Sequence, residues 1–134
     1  MRIDFTNVED TQSFVSVPEG TYLCRITDVR EGLSRDGSNR WAFRLVVAEG
    51  EHAGRTAAWD GLTFSERGLP RAQAVLHRLG FDVRGEIDLG AQELDGLYVR
   101  ASVIPEERED PVTGKRVERM RVPYMGYETA EPVG

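Results

Sequence analysis

Apolar and polar side chains alternate with a period of two along much of this sequence, and this pattern restricts the fold more than any other feature. The alternation is clearest between Arg40 and Ala48, where the apolar positions are Trp41, Phe43, Leu45 and Val47. Successive side chains of a β-strand point to opposite faces of the sheet, so a strand with this pattern buries one face. We therefore predict a strand here, with Phe43, Leu45 and Val47 in the core.

Four further segments carry strand signals, and stretches rich in turn-forming residues separate them. The five predicted strands run from Thr21 to Glu31, Arg40 to Ala48, Arg55 to Phe64, Gly96 to Ile104 and Lys115 to Gly126. The inward-facing residues predicted for the first, fourth and fifth strands are Tyr22, Cys24, Ile26, Leu97, Val99, Ala101, Val103, Met120, Val122 and Tyr124. Residues 34–39 and the charged segment Pro105–Gly114 are predicted to be loops.

One segment follows a helical period instead. Its apolar residues fall on one side of a helix: Leu69, Ala72, Leu76 and Leu79. Gly80 is suited to end this helix, and Pro70 is tolerated only in a first turn, so we predict that the helix starts near Gly68. Residues 81–93 are predicted to be a polar connector.

The predicted order is strand, strand, strand, helix, strand, strand. This order is typical of the OB-fold, a five-stranded Greek-key β-barrel that binds oligonucleotides or oligosaccharides. With 134 residues the chain is long enough for one domain of this kind. We therefore predict a mainly β protein with an N-terminal arm at 1–20, the barrel at 21–126 and a flexible tail at 127–134.

Composition and motifs argue against an enzyme. The sequence contains no nucleophile with a neighbouring base, no phosphate-binding glycine loop, and no metal-ligand spacing linking His52, His77 and Cys24. We expect no catalytic residues, no metal and no cofactor. No apolar run approaches the roughly 20 residues that span a bilayer. The start of the chain lacks the apolar segment of a signal peptide and the single cysteine has no disulfide partner, so we expect a cytoplasmic protein without membrane contact.

The formal net charge of −6 opposes binding to phosphates, but the charge is unevenly distributed. Residues 1–20 carry one basic and four acidic groups, whereas residues 21–60 carry six of each and residues 98–127 carry six basic against five acidic. The acidic surplus therefore lies mostly outside the predicted barrel strands. Every cationic residue except Lys115 is an arginine, which suits bidentate phosphate contacts and stacking on bases, although a compositional bias towards arginine explains it equally well.

Several short motifs resemble a family of bacteriophage proteins. They are Ile3-Asp4-Phe5 with Val8, Pro18-Glu19-Gly20-Thr21-Tyr22, the turn from Gly50 to Gly54-Arg55, Leu79-Gly80, and Leu94-Asp95-Gly96. The family is catalogued as a domain of unknown function and is taken to act like single-stranded-DNA-binding proteins in phage replication and recombination. The resemblance extends from Ile3 to about Tyr124 and implies this role for the chain. It identifies no individual site residue.

Aromatic residues placed beside arginines are typical of single-strand binding, in which bases stack on rings and cations follow the phosphates. Trp59 is the first candidate, because we predict that it shares an outward face with Arg55 and Ala57; the alternative is a tryptophan that closes the barrel end. We predict that three groups of cations converge on one face. They are Arg44 and Arg55 on the second and third strands, Arg35 and Arg40 around the first loop, and Lys115, Arg116, Arg119 and Arg121 from the last loop into the fifth strand. The candidate nucleic-acid-binding residues are Trp59, Arg44, Arg55, Arg35, Arg40, Tyr98, Lys115, Arg116, Arg119 and Arg121.

The sequence thus predicts a protein that binds single-stranded DNA, or alternatively RNA, without sequence preference. The alternative from a different class is an OB barrel that serves as an interaction or structural subunit of a replication or recombination complex and does not contact nucleic acid. Both hypotheses are compatible with the same protein partners. These are recombinase or replication proteins and further copies of the chain. The net acidic charge favours the second hypothesis.

Overall fold

The computed structural model describes residues 12, 13 and 15–130. Their elements in chain order are β1 (Gln12–Ser13), β2 (Gly20–Leu33), β3 (Asn39–Val47), β4 (Thr56–Thr63), α1 (Leu69–Arg78), a 3₁₀ helix (Ala91–Leu94), β5 (Tyr98–Glu109), β6 (Arg116–Arg121) and β7 (Tyr127–Thr129).

The strands form one sheet in the order β1-β6-β5-β2-β3-β4, and β7 pairs with β5. Strands β2 to β7 pair antiparallel, whereas β1 pairs with β6 in parallel. Strands β4 and β6 approach each other, but no ladder joins them among the described residues. The sheet is therefore mainly antiparallel and is not closed into a barrel.

The predicted mainly β class with one helix is confirmed, but the closed five-stranded barrel is not. The element order also differs from the prediction, because β1, β7 and the 3₁₀ helix were not expected. The flexible tail predicted from residue 127 was wrong for residues 127–129, since Tyr127 is buried and β7 pairs with β5. Most of the predicted N-terminal arm, and residues 131–134, lie outside the described residues.

The core follows the alternation in the sequence. The inward residues predicted on β3 are all buried, as are most of those predicted on β2 and β5: Cys24, Ile26, Phe43, Leu45, Val47, Val99, Ala101 and Val103. Helix α1 adds Ala72, Val75 and Leu76 to the same core, and Pro70 lies in its first turn as expected. The connector predicted to be polar at 81–93 also contributes to the core, because Val83 and Leu89 pack against it and Ala91, in the 3₁₀ helix that begins there, is buried.

A polar junction attaches the helix to the sheet. Arg71 of α1 donates to the Asp60 carboxylate at 2.7 Å and to the carbonyl oxygen of Gly61 at 3.0 Å. The hydroxyl of Tyr127 donates to the same carboxylate oxygen, and its ring lies 5.9 Å from the Arg71 guanidinium carbon. One carboxylate on β4 thus links α1 and β7, so the last strand is fixed by tertiary contacts.

Strand β5 continues into the segment predicted to be a loop and forms a long hairpin with β6, which lies within the predicted fifth strand. Residues 105–109 continue β5, and Glu106 pairs in register with Arg119 across the hairpin. The prediction that the fifth strand continues to residue 126 was also wrong, because β6 ends at Arg121 and Tyr124 is exposed. Charged residues on both strands hide the apolar alternation, so the sequence pattern indicated a loop.

Among the described residues, no helix is long and apolar enough to cross a membrane.

Candidate nucleic-acid interface

Trp59 lies on the outward side of β4 and is 49% exposed. Its neighbours Ala58 and Leu62 point inward and are buried. The ladder between β3 and β4 shifts register after the pair Leu45 and Ala58, which inserts one extra residue, Ala57, into β4. The half-exposed ring of Trp59 is therefore available on the solvent side of the sheet.

Two arginines from neighbouring strands surround this tryptophan. Arg44 on β3 is the register partner of Trp59, and paired residues of an antiparallel ladder project from the same face. The Arg30 guanidinium carbon lies 5.6 Å from the centre of the Trp59 ring, a cation–π distance. A stacking surface and two cations are thus brought together from β2, β3 and β4.

A bulge in β2 shapes this arrangement. The register of β2 against β3 shifts between Thr27 and Arg30, and Asp28 within the bulge has φ of +50°, a left-handed conformation that aspartate tolerates better than most residues. The Asp28 carboxylate forms an ion pair with Nε of Arg44 at 3.0 Å, and the same Nε donates a hydrogen bond to Oγ1 of Thr27 at 3.4 Å. Both side chains are more than a third exposed, so this ion pair is weak and solvent-screened.

Arg40 also points outward from β3 and is separated from Arg44 by one outward residue, Ala42. A Cβ atom at Gly61 of β4 would lie 2.5 Å from the Arg40 guanidinium, so this group rests directly on the backbone of the neighbouring strand. The lack of a side chain at Gly61 therefore allows Arg40 to lie across β4, the strand that carries Trp59.

Tyr98 on β5 lies on the same outward face and is 52% exposed. Its register partner is Arg25 on β2, which in turn pairs with Val46 on β3. Tyr98 and Trp59 are separated by three strand spacings, or roughly 14 Å across the sheet. We call this surface the arginine face, and it consists of Arg25, Arg30, Arg40, Arg44, Trp59 and Tyr98.

An open groove runs along one side of Trp59, between the unjoined strands β4 and β6. It has a volume of about 580 Å³, and its walls include Trp59, Ala57, Val117, Arg119 and Met120. Arg119 is thus the one predicted cation of the β5–β6 hairpin that shares a groove with the tryptophan. We call this feature the edge groove.

The other predicted cations of the hairpin are differently placed. Arg116 contacts Glu107 at 3.3 Å and Arg121 contacts Glu106 at 3.1 Å, while Lys115 is exposed beside the hairpin turn. These residues belong to β6 or its approach, and β6 is attached to the sheet through β5 and not through β3 or β4. Of this group, only Arg119 lines the edge groove with Trp59, and the convergence of all three groups on one face stays a prediction.

Arg55 and Arg35 were also predicted to join the site. The bulge at Ala57, which is buried, breaks the expected outward row of Arg55, Ala57 and Trp59. Instead, Arg55 lies at the start of the strand, where Nη1 donates to the carbonyl oxygen of Ser16 at 3.3 Å. Arg35 is exposed in the turn that joins β2 and β3.

Sequence reasoning missed the roles of Arg25 and Arg30. Arg25 lies between the predicted inward residues Cys24 and Ile26, so alternation places it outward, but its pairing with Tyr98 is apparent only from the register. Strict alternation places Arg30 inward, because Thr27 is outward and Arg30 lies three residues later. The only available signal was the irregular apolar pattern at Val29, which is typical of a bulge.

Titratable groups with strongly shifted pKa values lie away from the arginine face. Burial raises the pKa of the Cys24 thiol to about 12, so the thiol is protonated and unreactive at neutral pH. Burial, reinforced by the Asp60 carboxylate, raises the pKa of Tyr127 well above its usual value. Within the described part of the chain, no cluster of three or more His, Cys, Asp or Glu residues could hold a metal ion. The arrangement on the arginine face is suited to binding.

In comparisons with known proteins, no protein-family model matches this chain and no curated protein matches it either.

Proposed function

We propose that this protein binds single-stranded nucleic acid, with DNA as the primary ligand, on the arginine face. The observation that carries the proposal is the half-exposed ring of Trp59, with Arg30 above it and Arg44 beside it. Stacking of a base on an aromatic ring contributes roughly 1–3 kcal/mol and tolerates any base, while arginines contact the phosphates. Binding of this kind is sequence-nonspecific. The resemblance to phage proteins supports a role in replication or recombination.

We also propose that the sheet is an opened form of the OB barrel. In support, β2 lies between β3 and β5, α1 follows the third long strand, and β4 and β6 face each other across the edge groove. OB-folds bind oligonucleotides on the face of the second and third barrel strands, which correspond here to β3 and β4. Arg40, Arg44 and Trp59 lie on these two strands.

A titration that follows Trp59 alone tests the proposal. In the Trp41→Phe variant, Trp59 is the only tryptophan, and we expect an oligo-dT strand at low salt to quench its emission. Affinity should decrease as salt increases, with log K falling by about 0.7 per phosphate contacted for each unit of log salt. The same titration with oligo-rU measures the preference for DNA over RNA.

The Trp59→Phe variant provides the control, because its remaining Trp41 packs against Phe64 on the other side of the sheet and should not be quenched. The proposal is wrong if oligo-dT changes neither the emission of Trp59 nor the mobility of the protein at low salt. In that case, the interaction subunit without nucleic-acid contact becomes the better assignment, and the net charge of −6 favours it.

A further inference from the structure

A second concave surface lies on the helix side of the sheet. This groove, which we call the helix groove, has a volume of about 670 Å³ and runs between α1, the start of β3 and the connector at 81–90. Its apolar walls include Trp41, Phe64, Leu69, Leu76, Ile87 and Leu89. Two of these side chains remain substantially exposed, Leu69 at 51% and Ile87 at 43%. The groove therefore presents apolar side chains to solvent.

The outer wall of the helix groove is attached to the helix. Nε2 of Gln73 on α1 donates to the carbonyl oxygen of Val83 in the connector at 3.1 Å. Val83 and Leu89 also pack against the core, which fixes the connector at two points. The groove is therefore preformed, and a ligand would not have to order its walls.

Carboxylates surround this apolar surface. Glu66 lines the groove itself, and Glu31 lines an adjoining hollow that shares Trp41 and Leu89 with it. Glu86 and Asp88 are exposed on either side of Ile87. None of these four carboxylates forms an ion pair with another residue in the described part of the chain. The rim of the groove thus carries an unneutralised negative charge.

The negative charge of the rim restricts which kind of ligand can bind in the helix groove. A second copy of the chain carries a net charge of −6, and its own ends are acidic: residues 1–20 hold one basic and four acidic groups, and residues 128–134 hold two acidic groups and no basic one. Like charges brought together at an interface oppose binding. A segment with apolar anchors and basic flanks complements both the walls and the rim.

We propose that the helix groove binds a basic amphipathic helix of a partner protein. Its apolar side chains at helical spacing occupy the groove between Leu69 and Ile87, and its lysine or arginine residues face the four carboxylates. The arginine face lies on the opposite side of the sheet, because Arg40 points outward from β3 while Trp41 faces the groove. A nucleic acid and a partner helix can therefore bind at the same time.

The two tryptophans permit a direct test, since Trp41 lies in the helix groove and Trp59 on the arginine face. The probe is a peptide of about 14 residues, or four helical turns, with leucine at helical spacing and lysine elsewhere. In the Trp59→Phe protein, we expect this peptide to shift the emission of Trp41. The matched peptide with glutamate in place of lysine should have no effect, because the rim repels it.

Matched variants locate the binding. Leu69→Gln should weaken the lysine peptide by at least about fivefold, whereas Val112→Gln, which changes an equally apolar side chain on the exposed hairpin turn, should have no effect. Glu31→Gln with Glu66→Gln should weaken it by about threefold or more, and Glu49→Gln with Glu51→Gln, an equal charge change at the β3–β4 turn, should weaken it less.

The proposal is overturned if the lysine peptide leaves Trp41 unchanged, if both peptides bind equally, or if Leu69→Gln and Val112→Gln behave alike. It is also overturned if the peptide shifts the emission of Trp59 in the Trp41→Phe protein, because binding would then occur on the arginine face. None of these outcomes depends on whether the protein binds nucleic acid.

Discussion

The arginine face and the β5–β6 hairpin both carry several arginines, but they differ in what surrounds them. On the arginine face, four arginines accompany one carboxylate, that of Asp28. Residues 105–121 of the hairpin hold five cationic and five acidic side chains, and Glu106 and Glu107 pair with Arg108, Arg116 and Arg121. The first surface is cationic and the second is internally neutralised.

This difference shows that the net charge of a stretch of sequence does not give the net charge of the surface to which it contributes. Residues 21–60 contain six basic and six acidic groups, yet four of the basic side chains lie on the arginine face with only one of the acidic ones. The remaining acidic residues point to the other side of the sheet or lie in turns: Glu31, Asp36, Glu49, Glu51 and Asp60. Strand alternation separates the charges, so a protein with a net charge of −6 can present a cationic surface.

Replacements on the two surfaces should have very different effects on binding, and this is the largest effect we expect. Trp59→Ala combined with Arg44→Ala should reduce the affinity for oligo-dT by about 100-fold or more, because one stacked base and one phosphate contact are lost. Arg116→Ala with Arg121→Ala should reduce it by less than about threefold, because the five acidic side chains of the hairpin balance its five cationic ones and leave no net positive charge to attract phosphates. Anisotropy of a labelled oligonucleotide measures both changes.

Thermal unfolding provides the control for these variants. Trp59 is half exposed and Arg44 is solvent-screened, so unfolding of the double variant should remain cooperative. If the fold is lost instead, the surface around Trp59 belongs to the core. Equal losses of affinity from the face and hairpin variants would remove the distinction between the two surfaces.

Releasing the hairpin arginines should have a smaller, opposite effect. Glu106→Gln with Glu107→Gln frees the guanidinium groups of Arg108, Arg116 and Arg121, and we expect about a threefold increase in affinity for oligo-dT at low salt. The matched control is Glu49→Gln with Glu51→Gln, which changes the net charge equally at a distant turn. If both pairs of substitutions raise affinity alike, net charge and not local pairing explains the difference between the surfaces.

Changes in pH should leave binding almost unaffected while altering stability. Arginine is charged at all accessible pH values, so affinity for oligo-dT should be nearly constant between about pH 6 and 9. The pKa of Cys24 is raised from 9.0 to about 12 by burial, and burial also raises that of Tyr127. In the unfolded chain both groups ionise at lower pH than in the folded one. The stabilisation is therefore complete below about pH 8 and is lost progressively as pH rises through the unfolded and towards the folded values.

Urea unfolding at a series of pH values measures this loss, which has a maximum slope of about 1.4 kcal/mol per pH unit for each proton. Cys24→Ala should be less stable at neutral pH because it leaves a small cavity, and its stability should decline less steeply above pH 9. An unchanged alkaline slope in this variant would show that the thiol is not the titrating group. A binding affinity that changes between pH 6 and 9 would argue against an arginine-based interface.

Much of the fold could be predicted because period-two alternation reports which side of a strand is buried. Phe43, Leu45 and Val47 illustrate this, since all three lie in the core as expected. The same rule fails where a strand is largely exposed on both sides, as at residues 105–109 of β5. It also fails for β7, where only the contact of Tyr127 with Asp60 and the pairing with β5 reveal a strand.

The candidate site could be predicted only in part. The alternation of side chains along a strand was enough to indicate that Trp59 and Arg44 point outward, and the structure places them side by side. Arg30 was missed because the bulge in β2 shifts every residue after Thr27 to the other face. The predicted outward row of Arg55, Ala57 and Trp59 was wrong because the extra residue Ala57 has the same effect in β4. A one-residue insertion reverses the orientation of all that follows, and short-range pattern does not reveal it.

The sequence by itself determined the helix, most of the core and the greater part of the five longer strands, because these depend on the spacing of apolar residues along the chain. The tertiary structure alone decided which arginines share a face with Trp59, which are neutralised by carboxylates, and that β4 and β6 remain unjoined. These features depend on the pairing of residues that are distant in sequence. Bulges and cross-strand register control that pairing, and neither can be inferred from the local pattern of apolar and polar residues.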